Sequence, residues 1–297
     1  MTYEDVTAFL CVAQYNNFTK ASELLYITQP TISRRIQNLE KELGYPLIVR
    51  QKGGRNVELT EEGQTFLAYA EQWKKLYQDI GQIPHRSKYT VFNVSGQTRM
   101  MQHIFPSVCI KFISRHPDVH LNLTNLPSSI SYERMSQGTV DLAFVTIAKH
   151  QKNIKTVPTF EEDYLFACNS RSEYPDTVSP SDLKPEKAII LTHAPETDPW
   201  YDYWFGRSSN SLVLLDDTAL MASILASGDY WTVIPASVAH SWRENPDITF
   251  RKLLNSPPPR TTYHLQSSYT NTKLCDEFLS ILKEVLTEFP HVHSFLN

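Results

Sequence analysis

Gln29, Thr31, Ser33, Arg34 and Arg35 fall within seven residues, and each can hydrogen-bond a nucleic-acid base edge or a phosphate; Asn38 extends the row. Arginine pairs bidentately with guanine and glutamine with adenine, while the positive N-terminal end of a helix favours a nearby phosphate. The same residues would also suit the solvated face of an ordinary helical hairpin. The elements that position them therefore decide between the two readings.

Ile32, Ile36, Leu39 and Leu43 recur in steps of four, three and four, which predicts an amphipathic helix beginning at about Gln29. Thr28 suits its N-cap, and Pro30 is tolerated in its first turn, where an N–H has no intrahelical partner. Ala21, Leu24 and Leu25 form a shorter helix before it, and Tyr26 and Ile27 break the pattern between the two. An earlier stripe of Val6, Phe9, Leu10 and Ala13, with Phe18 at the turn, completes a three-helix core. After Pro46, the apolar pieces Leu47 to Val49 and Val57 to Leu59 flank Gln51-Lys52-Gly53-Gly54-Arg55, a hairpin with a basic tip. This is a winged helix-turn-helix arrangement, in which the helix enters the major groove and the tip reaches backbone or minor groove. Gln29, Thr31, Ser33 and Arg34 are expected near bases, and Arg35, Arg50, Lys52 and Arg55 on backbone phosphates.

Residues 3 to 80 resemble the DNA-binding region of a LysR-type transcriptional regulator. The resemblance rests on Phe9, Phe18-Thr19-Lys20-Ala21, Leu24, Gln29-Pro30-Thr31-Ile32-Ser33, Ile36, Leu39-Glu40, Leu43-Gly44, Leu47, Arg50, Leu59-Thr60 and Gly63. Ser22 and Ile48 stand where the family usually has alanine and phenylalanine, and both keep the small or apolar character.

A chain of 297 residues has room for about two domains. Its net charge of -4 excludes nonspecific coating of nucleic acid, so DNA binding must rest on a local patch. Residues 28 to 60 supply one, with six cationic against three acidic side chains. The N-terminus carries no basic segment followed by an apolar run, and no stretch is long enough to cross a membrane, so a cytoplasmic protein is expected. Cys11, Cys109, Cys168 and Cys275 are far apart and form no C-x-x-C, which argues against a zinc site or a disulfide framework.

Beyond the hairpin, Thr60 opens a long helix whose Phe66, Ala70, Trp73, Tyr77 and Ile80 repeat in steps of four and three, the pattern of a dimerisation seam. The resemblance implies the same role, a linker helix pairing two subunits over a partly palindromic double-stranded site. Residues 81 to 88 read as a hinge, which gives a DNA-binding domain over 1–60, a linker over 61–88 and an effector domain over 89–297.

From Tyr89 onward, apolar runs alternate with helical patterns. Strands are expected near 91–94, 119–124, 140–145, 164–168, 188–191, 212–215, 231–234 and 263–266, and helices near 101–114, 218–227 and 272–289. Such alternation predicts an α/β domain with largely parallel sheets. This part resembles the effector-binding domain of the same family through Val94-Ser95, Pro106 to Pro117, Gly138 with Asp141-Leu142-Ala143, and Gly228 to Ile234-Pro235. Tyr230 replaces a glycine often found there. The resemblance implies a two-lobed, periplasmic-binding-protein-like domain, with lobe I over about 89–161 and 265–297 and lobe II over about 162–264. Pro257-Pro258-Pro259 would stiffen the return crossing.

Ligands of open α/β sheets bind beyond the carboxyl ends of strands. Ser95, Gln97 and Thr98 follow the first such strand, Thr146 another, and Thr192 with His193 a third. Serine and threonine at these places are most often simple turn or capping residues. The resemblance favours ligand contact for Ser95 and Thr98 and leaves Thr146, Thr192 and His193 open. The aromatic run from Pro199 to Phe205 reads as packing, and His291 with His293 as a frayed tail rather than a metal pair. No P-loop, G-x-S-x-G or H-E-x-x-H motif is present, so no enzyme, metal or cofactor is expected. The expected partners are DNA, a small anionic effector, the chain itself as homodimer or homotetramer, and RNA polymerase at the promoter. A small-molecule binding protein using its N-terminal helices only to oligomerise is the alternative.

Overall fold

The computed structural model describes residues 1–50, 57–81, 90–192, 196–206, 213–267 and 272–296. The head consists of α1 (Tyr3–Tyr15), α2 (Phe18–Leu25), α3 (Gln29–Leu43), β1 (Ile48–Arg50), β2 (Val57–Leu59) and α4 (Glu61–Gly81). Thr2 and Asp5 cap α1 reciprocally, and the Asn17 side chain accepts from the Lys20 N–H at the start of α2. Thr28 stands at the N-cap of α3 as expected, but its hydroxyl lies 2.8 Å from that of Thr31 and makes no capping bond. Gly44 ends α3 with φ at +84°, a left-handed turn that glycine adopts without steric cost.

Val6, Phe9, Val12, Ala21, Ile32, Ile36 and Leu39 are buried together, whereas Leu24, expected among them, is exposed. The hairpin pairs antiparallel with Ile48 opposite Leu59. Thr60 then caps α4 through a 2.8 Å bond from the Gly63 N–H. A Cβ on Gly63 would sit 2.1 Å from the Leu47 carbonyl oxygen, so only glycine lets α4 start this close to the hairpin.

The seam expected on α4 is contradicted at Phe66 and Ala70. Phe66 and Ala70 are buried within the head, and the Phe66 ring lies 5.3 Å from that of Phe9. Trp73 and Tyr77 continue the same face against Tyr3, with centroids at 6.4 Å and 4.8 Å. The heptad face is thus turned toward α1 of its own chain, and the head's core reaches past residue 60. Tyr77 and Ile80 of the expected seam remain exposed, together with Tyr69 and Leu76.

The rest of the chain comprises, in order, β3 (Thr90–Gly96), α5 (Thr98–His103), α6 (Phe105–Arg115), β4 (Val119–Asn125), α7 (Ser128–Ser136), β5 (Leu142–Val145), β6 (Ile154–Glu162), β7 (Tyr164–Asn169), β8 (Thr177–Val178) and β9 (Ile189–Leu191). There follow α8 (Asp198–Phe205), β10 (Val213–Leu215), α9 (Thr218–Ser227), β11 (Trp231–Pro235), α10 (Ala236–Trp242), β12 (Ile248–Leu253), β13 (Arg260–Ser267), α11 (Thr272–Leu286) and β14 (Val292–Ser294).

Lobe I is built on a six-stranded sheet in the order β14-β6-β13-β5-β3-β4, with a core of Phe92, Phe105, Phe112, Phe144 and Phe278. Lobe II holds a four-stranded sheet, β11-β7-β12-β8, and the pair β10-β9. The chain passes between them at Asp163 and returns through 254–259. Lobe I therefore regains the chain at Arg260, five residues before the expected 265, because three prolines without N–H donors end there and a ladder strand begins only after them.

The sheets are mixed rather than largely parallel. The pairs β3-β4 and β3-β5 are parallel, but β13 and β14, which belong to the return limb, pair antiparallel in lobe I, and β7 pairs antiparallel with both β11 and β12. The helix expected over 101–114 is two helices. Pro106 at the start of α6 cannot donate a helical bond, and the chain breaks at Ile104. Strand β6 escaped the sequence reading because Pro158 interrupts it; the register with β13 shifts beside Tyr263, leaving Thr159 as an extra residue. His293 is no frayed tail, since Val292 and His293 pair with Glu162 and Glu161 as an edge strand. Trp200 and Tyr201 are core residues of lobe II, packed with Trp231 and Phe205 as expected.

Candidate nucleic-acid interface and ligand cleft

With Ile32, Ile36 and Leu39 fixing α3 in the head, Gln29, Arg34, Gln37 and Asn38 stand exposed on its other side and Arg35 is half-buried. Thr31 and Ser33 are also half-buried. Arg50 pairs with Val57 in the hairpin ladder, while its side chain, like Lys52 and Arg55, lies outside the described residues. Tyr26 went unnoticed in the sequence. It is 95 % exposed at the turn before α3, with φ at +52°, and so presents an aromatic hydroxyl beside the recognition helix. Its position as the residue that breaks the apolar pattern was the available signal.

In lobe I, Ser95 is fully buried and its hydroxyl lies 3.3 Å from that of Ser131 on α7. Gln97 donates to the Ser128 hydroxyl at 3.0 Å, and Asn125 donates to Thr98 Oγ1 at 2.7 Å. The Thr146 N–H lies 3.4 Å from the same Ser128 hydroxyl, which draws Gln97, Ser128 and Thr146 together. In lobe II, Thr192 follows β9 and donates its N–H to the Leu215 carbonyl at 2.8 Å, and His193 lies outside the described residues.

Helix α5 reaches across to lobe II. His103 Nε2 lies 2.8 Å from Thr218 Oγ1 and Nδ1 lies 2.7 Å from Ser241 Oγ. Thr218 also donates to Gln102 Oε1 at 3.0 Å and Ser241 to the Val238 carbonyl at 2.8 Å, so the ring is held from both lobe II hydroxyls. Burial lowers the His103 pKa to about 4; Glu162 opposes that shift, and Arg260 and Arg99 reinforce it.

At the two crossings sits a charged group that the sequence reading missed altogether. Arg260 donates to Glu162 Oε1 from Nε at 3.1 Å and Nη2 at 2.5 Å, and the Ser237 N–H donates to Oε2 at 3.0 Å. Both side chains of the pair are buried. Burial pulls the Arg260 pKa down, and the Glu162 charge more than restores it, leaving it raised. Tyr164, at the start of β7, has its pKa pushed well up by burial. Arg99, which follows Thr98, is lowered to about 10 by burial and by Arg260. Arg99 and Glu162 carried no signal in the sequence because the chain separates them by more than sixty positions and only the crossings unite them.

Among the described residues, no group of three or more metal-ligating side chains converges, and no helix is long and apolar enough to cross a membrane. The thiols of Cys109, Cys168 and Cys275 are all buried, with pKa values raised by that burial to about 11, 11 and 12.

A winged helix-turn-helix head joined to a two-lobed domain with a polar junction defines a ligand-responsive DNA-binding regulator. Residues 3–64 match the model of the bacterial regulatory helix-turn-helix protein of the lysR family, and residues 92–287 that of the LysR substrate binding domain. The chain belongs to the LysR family of transcriptional regulators, which is not an enzyme family. It is 28 % identical to the regulator ClcR of Pseudomonas putida, covering 98 % of each chain. With BenM of Acinetobacter baylyi it shares 26 % identity, over 77 % of this chain and 78 % of that one. Among solved structures, full-length CbnR complexed with its target DNA superposes with a TM-score of 0.62 at 21 % identity, covering 96 % and 100 % of the two chains. A full-length OxyR variant from Pseudomonas aeruginosa gives 0.67 at 19 %, covering 98 % of each.

Proposed function

We propose that this regulator binds a partly palindromic promoter site as a dimer or a pair of dimers, and that a small molecule held between lobes I and II changes its DNA binding or promoter activity. The observation that carries the reading is the joining, in one chain, of an exposed cationic recognition helix to a two-lobed domain with buried, unpartnered hydroxyls at its junction. Gln29, Thr31, Ser33 and Arg34 are assigned to bases or adjoining phosphates, and Arg35, Arg50, Lys52 and Arg55 to backbone phosphates. Tyr69, Leu76 and Ile80, on one exposed side of α4, replace Phe66 and Ala70 as the pairing surface.

As functional units, residues 1–60 read DNA, 61–88 pair subunits, and 89–297 bind the effector. The cleft contacts are Gln97, Thr98, Thr146, Thr192 and His193, with Ser95 supporting them. Action on a promoter places the protein in the cytoplasm with RNA polymerase as a further partner. A ligand acts only by binding two lobe arrangements with different affinity.

The test is a footprint of the purified protein on the DNA upstream of its own gene, at fixed salt, with and without a metabolite pool. A protected, partly palindromic site whose extent changes with the pool is expected. Salt-sensitive binding without sequence preference there and on genomic fragments would refute the reading.

A further inference from the structure

Helix α7 touches the cleft residues at one end and the helix leading out of the head at the other. At its N-terminal end the buried Ser128 hydroxyl accepts from Gln97 Nε2 at 3.0 Å and from the Thr146 N–H at 3.4 Å. One turn further on, the Ser131 hydroxyl lies 3.3 Å from that of Ser95. At and just past its C-terminal end, the Ser136 and Gly138 carbonyls accept from the Gln72 and Lys75 side chains of α4. Lys75 also lies 3.7 Å from the Asp141 carboxylate, which the Asn93 N–H holds on β3 at 2.8 Å. Ser128 and Ser136 are about 12 Å apart at 1.5 Å of helical rise per residue. Tyr132 and Met135 pack between them against Ala143, Val145 and Leu265 of the sheet, and close packing of this kind passes a displacement from one end of a helix to the other.

The grip on α4 is opposed from within. Glu71, next to Gln72, has a buried Oε2 without a hydrogen-bond partner, and its charge neighbours include Arg134 and Glu133 of α7. Burying a carboxylate oxygen without a donor disfavours the docked helix. The Lys75–Asp141 pair is partly exposed and adds only a modest gain. A contact with terms on both sides can be tipped by a small change at the far end of α7. We propose that α7 is the lever through which the cleft controls the head: ligand groups that accept from Gln97 and the Thr146 N–H take those donors off Ser128, and α7 then loosens its hold on the linker helix. This rests on the reading of the cleft as the effector site and states how its occupation reaches the DNA-binding head. Linkage makes the effect reciprocal, so an undocked α4 favours the occupied cleft.

The test uses the full-length protein with spin labels at Glu62→Cys on α4 and Asp118→Cys on lobe I, both exposed positions, in a Cys11→Ala background where the remaining thiols are buried. Labelled protein is diluted with unlabelled protein, and pulsed electron paramagnetic resonance gives the head-to-lobe distances within one subunit. The parent shows one dominant distance. Ser128→Ala and Gln97→Ala each raise the undocked fraction about two- to tenfold, the weight of one hydrogen bond in such an equilibrium. Lys75→Met does the same from the other end, and Glu71→Gln lowers the fraction. Ser128→Thr, which keeps the acceptor, retains the parent distances. Asn125→Ala removes a bond to Thr98 in the same cleft without touching α7 and leaves them unchanged. Release by Lys75→Met but not by Ser128→Ala or Gln97→Ala overturns the lever, as does equal release by Asn125→Ala. A metabolite pool that alters the footprint of a protein whose distances ignore Ser128→Ala refutes the lever and keeps the effector site. Release by Ser128→Ala with no response of footprint or distances to the pool keeps the lever and refutes the effector reading.

Discussion

Glu162→Gln tests the junction most directly. The pair it breaks is almost fully buried, with two bonds from Arg260 to one oxygen and the Ser237 N–H on the other. Glutamine keeps an acceptor for only one of these partners, and its amide NH2 then faces a second donor. Removing one member of a buried ion pair costs about 3–5 kcal/mol, because the survivor is left buried without compensation. One carbonyl remains to receive a donor, so the lower part of that range, about 3 kcal/mol, is expected. For a domain of this size each kcal/mol moves the melting temperature by about 2–4 °C, giving a fall of roughly 6–12 °C. Urea and thermal denaturation of the purified protein at neutral pH measure it. The double variant Glu162→Leu, Arg260→Met should lose less than the sum of its single variants, since an apolar pair of similar volume replaces both charges. A loss below about 1 kcal/mol for Glu162→Gln, or strict additivity in the cycle, would refute the account of this pair as buried and mutually compensating.

On DNA, Arg34→Ala is expected to cost about 1–3 kcal/mol at the specific site and to relax one position of it, measured by titration against a panel of single-base variants; a uniform loss would remove Arg34 from base readout. Arg35→Ala should weaken all sequences alike and reduce the slope of log K against log salt by about one. Phe66→Ala should destabilise the head by about 3–5 kcal/mol through the cavity left against Phe9, whereas Leu76→Asp should spare the head's melt and weaken subunit pairing in sedimentation; the opposite pattern would restore the heptad seam. Acid should destabilise lobe I through His264. Burial, with Lys155 adding to it, lowers this pKa from 6.5 to about 4, and the ring stands between Thr159 Oγ1 at 2.9 Å and Gln266 Nε2 at 3.2 Å. The unfolded chain takes up its proton first as pH falls. The stability is therefore full above about 6.5 and is lost progressively toward about 4. Thermal melts across that window should fall less steeply for His264→Gln than for the parent, and parallel curves would exclude His264 as the cause.

The head was legible in the sequence because helical periodicity within forty residues names both its core and its outward face. Ile32, Ile36 and Leu39 are buried and Gln29 and Arg34 exposed, as their spacing required. Periodicity stops short of saying what a stripe packs against. Phe66, Ala70 and Trp73 form the apolar face that spacing predicts, and only the tertiary structure turned that face onto α1 instead of a second subunit. In the effector domain, alternating patterns located most strands but not their directions, because direction depends on how the chain returns from lobe II. Ser95, Gln97 and Thr98 could be picked out as a loop after a strand, yet burial of Ser95 against Ser131 is a fact of packing. Arg99, Glu162, Tyr164 and Arg260 share no motif and come from separate segments. What unites them is the double crossing between the lobes, a long-range arrangement that leaves no local pattern in the sequence.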